Sequence, residues 1–244
     1  MEPVRTEDIR KFMQYTFKSH PWHGIASLAK EPDTFNVYLE VVPSDTVKYE
    51  IDKATGHLKV DRPQKFSSLC PTLYGFIPRT YCGERVGRFC QEATGRSHVA
   101  GDGDPIDICV FSEKPITHAD ILVTAIPIGG LRMIDHDQAD DKIIAVLKGD
   151  LEYGRWRSIK DMPTALIDRL RHYFLTYKQL PDEASPETGE TAPKLVEITH
   201  IYDREEATAI IQASIDDYTD KFGNPEEALV EFLAALTVRA RRGK

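Results

Sequence analysis

The chain has 244 residues, 41% hydrophobic and 29% charged, a size and composition that allow a sizeable buried core and suit an ordinary globular protein. Its net charge of −8 argues against a general nucleic-acid binder, which needs a basic surface, but it permits a small phosphate substrate because bound cations can reverse a local field. No window approaches 18 apolar residues and the first residues lack a signal-peptide pattern, so a cytoplasmic protein with no membrane partner is expected.

In chain order, 6–19 reads as a helix opened by Thr6, with Ile9, Phe12, Met13 and Phe17 on one face. His20-Pro21-Trp22-His23-Gly24 follows as a packed turn plugged by Trp22. Strands are expected at 35–42, 48–52 and 57–60, the last two joined by a hairpin-type turn at 53–56. Glu40, Lys48, Glu50 and Arg62 fall at alternating positions, which fits a solvated face or one lined side of a sheet. Pro63, Pro71 and Pro78 give 61–80 the look of a shaped loop or edge. With four glycines and no sustained period, 79–101 reads as an inserted loop or small hairpin. Nearly continuous apolar runs at 106–111, 121–128 and 142–147 predict strands buried on both sides, with Gly129-Gly130 as punctuation.

The period then becomes helical over 162–180, where Leu166, Leu170, Tyr173, Phe174 and Tyr177 share a face. A polar loop at 181–193 leads to a strand at 194–201. A helix over 203–222 follows, with a capping-box-like pair in Asp203 and Glu206, and a last helix spans 225–241. Cys70, Cys82, Cys90 and Cys109 form no CxxC pair and are expected as free thiols, in preference to a zinc site with His98.

Chemistry concentrates in two acidic runs. Asp102, Asp104 and Asp107 fall within six residues and pass into the apolar segment beginning at Ile108. Asp135, Asp137, Asp140 and Asp141 precede a second apolar segment about thirty residues later. In an extended chain Asp102 and Asp104 point to one side, about 6.6 Å apart. So many carboxylates at neighbouring strand ends need cations to stay ionised, and Mg²⁺ suits hard oxygen donors best, with Ca²⁺ or Mn²⁺ as other possibilities. Lys48, Arg62, Lys142 and Lys178 supply donors for an anion. A phosphohydrolase of nucleotides or polyphosphate and a cation-buffering protein would both use such carboxylates. The absence of a GxxxxGK[ST] loop disfavours the former, and the four cations disfavour the latter.

The segments 48–53, Asp61-Arg62, Tyr74-Gly75, 102–107, 135–142 and Tyr177-Lys178 occur in the order and near the spacings of the family I soluble inorganic pyrophosphatases, which this sequence resembles over roughly 35–215. Extensions at both ends and around 79–101 resemble a subgroup of that family. The resemblance implies an α+β fold with an OB-like five-stranded β-barrel core and helices packed outside. It divides one pyrophosphatase-like domain into a helical extension at 1–34, a catalytic core at 35–215 and a second helical extension at 216–244.

It further implies hydrolysis of pyrophosphate with several Mg²⁺ ions per site, Mn²⁺ or Zn²⁺ being substitutes, by a homo-oligomer. By motif, Asp104 takes the proton of the attacking water; Asp102, Asp107, Asp135 and Asp140 hold metals, with Glu50 and Glu40 supporting them. Lys48, Arg62, Tyr74, Lys142, Tyr177 and Lys178 bind phosphates, and Tyr74, Arg62 and Lys48 share in catalysis. Two positions depart from the family pattern: Cys70 stands where a Tyr is common and His136 where an acid is common. A changed set of hydrogen bonds on the phosphate side is the expectation.

Overall fold

A computed structural model describes residues 18–178, 196–225 and 227–231. Its strands are β1 (Phe35–Val41), β2 (Val47–Ile51), β3 (Leu58–Pro63), β4 (Leu73–Phe76), β5 (Ala100–Gly101), β6 (Asp107–Phe111), β7 (Ile121–Asp135), β8 (Gln138–Ala139), β9 (Lys142–Leu147) and β10 (Val196–Asp203). Its α-helices are α1 (Glu84–Thr94), α2 (Thr164–Thr176) and α3 (Arg204–Phe222).

Five strands close on themselves in the order β1, β4, β6, β9, β7 and back to β1. Only the β6–β9 contact in this ring is parallel. Closure removes the unpaired edges that an open sheet would present. This ring, with helices outside it, agrees with the expected OB-like α+β fold. β10 adds to β7, while β2 and β3 form a separate two-stranded sheet.

The unbroken apolar runs are explained by burial on two sides. Ile108, Val110, Ile143 and Ala145 join a core with Val86 of α1 and Ala207, Ile210 and Ile211 of α3. Their neighbours Cys109, Phe111, Ile144 and Val146 join another with Leu170 and Phe174 of α2. Alternation along each strand therefore separates two cores rather than core from water.

Several expectations are corrected. The 79–101 segment is no loop or hairpin: it contains α1, which buries Val86, Gly87 and Cys90. A local capping signal is missing because the cap comes from α3. Asp217 accepts the backbone N–H groups of Gly83, Arg85 and Val86 at 3.0–3.2 Å. Within 61–80 lies β4, a member of the ring; its prolines flank the strand instead of interrupting it. β7 runs straight through Gly129-Gly130, where a Cβ on Gly130 would fall 2.4 Å from the Tyr202 ring. Close packing, rather than chain reversal, requires glycine there.

At α3, Asp203 caps the helix by accepting the N–H of Arg204, but Glu206 turns to Arg132 and completes no capping box. The helix predicted over 162–180 is shorter, ending at Thr176. The packed turn at 20–24 holds Trp22 at 4% exposure. All four cysteines are buried free thiols. The predicted loop at 181–193 lies outside the described residues, as do most of the predicted terminal helices at 6–19 and 225–241.

Candidate active site

A cleft of about 360 Å³ opens at one end of the strand ring, lined by side chains from both acidic runs and from the two-stranded sheet. β1 supplies Glu40, which is 5% exposed and accepts the N–H of Ile51 at 2.8 Å. That bond ties the two-stranded sheet to the ring. β2 then presents Lys48 and Glu50, and β3 presents Arg62. The Lys48 amine lies 3.3 Å from Glu50 and 3.1 Å from Asp61. Glu40, Lys48, Glu50 and Arg62 all line the cleft, so their alternation marks one wall of a cleft and not an open solvated face.

Tyr74 on β4 donates its hydroxyl to Asp107 Oδ2 at 2.5 Å. Lys142, at the start of β9 and 2% exposed, ion-pairs with Asp107 and Asp140. The parallel register that sets Asp107 opposite Lys142 brings the two runs together. Burial opposes the Lys142 charge, but Asp107 and Asp140 overcome it and hold the amine well above its ordinary range. Lys178, just beyond α2, ion-pairs with Asp135 at the end of β7. That pairing overcomes burial and lowers the Asp135 carboxyl below its usual value.

Asp102 and Asp104 do not extend along a strand as expected. Gly103 takes φ +80° and the N–H of Asp104 folds back on Asp102 Oδ1 at 2.9 Å. Asp104 instead ion-pairs with Lys53, both side chains being 43% exposed.

Asp102, Asp104, Asp107, Asp135, Asp140, Glu40, Glu50, Lys48, Arg62, Tyr74, Lys142, Tyr177 and Lys178 therefore share one cleft. Asp141, the last carboxylate of the second acidic run, faces the core, where it meets Arg132 at 3.0 Å and Tyr202 at 3.1 Å. Cys70 and His136 are not on the cleft wall. Cys70 is 1% exposed, with its thiol pushed up to about 11 by burial; His136 hydrogen-bonds Asp135 from outside at 2.7 Å.

The cleft also uses Lys53, Asp61, Gln138, Tyr173 and Phe174, to which sequence reasoning gave no role in the site. Lys53 and Asp61 lie in the very segments that carried the resemblance, and a cation on a hairpin turn opposite an acidic run was the available signal. Tyr173 and Phe174 were legible only as a helical apolar face, which they also are.

The donors suit a hard cation. Asp102 is pushed up to about 8 by burial, then by the charge of Asp140; Glu40 reaches about 8 by burial, then by Asp107. Burial likewise raises Asp140, against the pull of Lys142. Eight carboxylates face five cationic side chains in this cleft, and a divalent cation would supply the missing positive charge. Among the described residues no three of these groups close around a single point. The amines of Lys53, Lys142 and Lys178 are bound to four of the carboxylates. The fit is thus one of donor chemistry and convergence. On the phosphate side, Arg62 lies 5.6 Å over the Tyr177 ring, and its Nη1 is buried without a hydrogen-bond partner. An orphaned guanidinium nitrogen in a cleft suits an anion.

Comparison with known proteins agrees. Residues 37–219 match the family model described as inorganic pyrophosphatase. An inorganic pyrophosphatase of Chlamydia caviae is 49% identical over 203 residues, 83% of this chain and 92% of that protein. Soluble inorganic pyrophosphatase 1 of Arabidopsis thaliana is 35% identical over 202 residues, 83% of this chain and 81% of its own length. The crystal structure of inorganic pyrophosphatase from Thermus thermophilus superposes with a TM-score of 0.65 at 28% identity, covering 83% of this chain and 99% of that one. The chain therefore belongs to the family I soluble inorganic pyrophosphatases and is an enzyme, a diphosphatase.

Proposed function

We propose that the cleft hydrolyses inorganic pyrophosphate to two orthophosphates, with Mg²⁺ as cofactor and Asp104 as general base. The observation that carries this reading is the meeting in one small cleft of eight carboxylates with five cationic side chains. Asp102, Asp107, Asp135 and Asp140 would hold the cations, supported by Glu50 and Glu40; Mn²⁺ or Zn²⁺ would be substitutes. When bound, such ions neutralise phosphate charge and lower the pKa of water.

The chain's own groups do the rest. Asp104 accepts the proton of the attacking water, its carboxylate being 43% exposed on the cleft wall. Lys48, Arg62, Lys142 and Lys178 bind and orient the phosphates through charge, and Tyr74 and Tyr177 flank them. Arg62 Nη1 has a free donor for a phosphate oxygen. Preorganised cations that face the leaving phosphate stabilise charge as it develops, without reorganising at the moment of reaction.

The reading includes a cytoplasmic homo-oligomer acting without nucleic acid or membrane. A net charge of −8 supports the former absence. Among the described residues, no helix is long and apolar enough to cross a membrane. It also keeps 35–215 as the catalytic core between extensions at 1–34 and 216–244.

Phosphate release should be measured with pyrophosphate, tripolyphosphate and a nucleoside triphosphate, under Mg²⁺ and under chelation. Rapid release from pyrophosphate with Mg²⁺ alone is expected. Preference for the nucleotide, or full activity under chelator, would reject the reading.

A further inference from the structure

Lys53 sits on the turn between β2 and β3, where its amine ion-pairs with Asp104. An exposed ion pair fixes little by itself, because water screens it and two long side chains must be ordered. Here, however, the turn that carries the amine is held from beneath. The N–H groups of Thr55 and Gly56 both return to Asp52 O, at 3.2 and 2.7 Å. Gly56 takes φ +73° and is pressed so closely on the 20–21 segment that a Cβ would fall 2.8 Å from Pro21 and 2.9 Å from the His20 ring.

His20 makes the joint. Its Nδ1 accepts the backbone N–H groups of Trp22 at 3.2 Å and His23 at 3.4 Å. That leaves the ring proton on Nε2, which faces the Lys53 carbonyl at 3.2 Å and donates to it. The segment beyond His20 is bolted to the acidic run in turn. Trp22 donates its indole N–H to Thr80 O at 2.8 Å, and Arg79 N–H donates to Trp22 O at 2.8 Å. Two residues further on, Cys82 N–H donates to Asp104 O at 2.7 Å, and Gly103 N–H donates to Cys82 O at 3.0 Å. A chain of bonds thus leaves the backbone of Asp104, passes through Trp22 and His20, and returns through Lys53 to the Asp104 carboxylate.

We infer that Lys53 is a positioning residue for Asp104, and that His20 and the 20–24 turn hold Lys53 in register with it. The inference rests on the reading of Asp104 as the base. Its physical content is geometric: a general base works only within hydrogen-bond reach of its water, and displacement by about 1 Å can cost about a hundredfold in rate. With a short carboxylate arm on a turn, Asp104 has freedom to swing, and a braced cation limits it. Were Lys53 a phosphate ligand instead, its loss would weaken substrate binding.

The test combines steady-state hydrolysis of pyrophosphate under Mg²⁺ with amide hydrogen exchange over 52–57 in the metal-free protein and with thermal melting. Lys53→Met should lower kcat about tenfold with KM within about twofold, and Lys53→Arg should recover most of the loss. His20→Ala should lower kcat about threefold and speed exchange at the Thr55 and Gly56 amides, with the melting temperature unchanged. In an Asp104→Asn background, Lys53→Met should add nothing. A raised KM with kcat intact, an unchanged kcat, or unaltered exchange in His20→Ala would overturn the inference. The two levels of failure are separable. If Asp104→Asn keeps its turnover, the base reading falls and the inference with it; if Asp104→Asn is crippled while Lys53→Met is normal, only the inference falls.

Discussion

Asp140 and Asp141 are neighbours in sequence, each paired with a cation, and turn to opposite surroundings, one to the cleft and one to the core. Asp141 turns into the core and meets Arg132, which is fully buried and also binds Glu206 at 2.8 Å and the Phe89 carbonyl at 2.7 Å. The guanidinium lies 5.2 Å over the Tyr202 ring, whose hydroxyl reaches the same aspartate. Burial pushes Asp141 up, but Arg132 works against it and the carboxyl stops at about 6. Asp140 turns the other way, into the cleft, where burial pushes it up, Lys142 pulls against that and the charge of Asp107 adds to it, and where Asp102 is driven to about 8. The core cluster carries its own counter-charge and joins β7, β9, α1 and α3. The cleft sets eight carboxylates against five cationic side chains, a shortfall that the proposed divalent cations would meet.

The contrast can be broken in both directions. Asp104→Asn should lower kcat by about 10²–10⁴-fold at an unchanged melting temperature, because it removes a proton acceptor and no packing. Arg132→Met should instead cost about 3–5 kcal/mol of stability in urea unfolding, since it strands a buried carboxylate without its partner. Loss of activity without loss of stability in Arg132→Met would place that cluster in the chemistry and erase the distinction.

A smaller effect sharpens it. Asp102 and Glu40, each at about 8 in the folded chain, have ordinary values of 3.8 and 4.5. A raised acid favours the folded state while protonated. That contribution is complete below about pH 4 and is lost as pH rises to about 8. The melting temperature of metal-free protein should therefore fall across this window, and Asp102→Asn or Glu40→Gln should each flatten the fall. A flat wild-type profile would mean that the cleft is already compensated.

Much of the site was legible because its chemistry is written in short contiguous runs. Asp102 to Asp107 and Asp135 to Lys142 declare themselves by composition, and the apolar segments after them declare the strands that bring them together. What was not legible depends on partners distant in sequence. α1 takes its cap from Asp217, 132 residues after Arg85, so no local signal opens it. Gly129 and Gly130 read as punctuation until Tyr202 and Ile159 are seen packed on them. β4 is only four residues long between prolines, and its place in the ring is set by pairing with β1 and β6. Lys53 gains meaning only when the turn is folded over Asp104.

The central claim is that the cleft is built to take up divalent cations that its own side chains do not replace. Calorimetric titration of the metal-free protein with Mg²⁺ at pH 7, in two buffers of different ionisation enthalpy, tests it most directly. The account predicts saturable binding with net release of protons, because carboxyls held near 8 must ionise to accept the metal, and less release in Asp102→Asn. Absence of binding, or binding with no proton released, would contradict it.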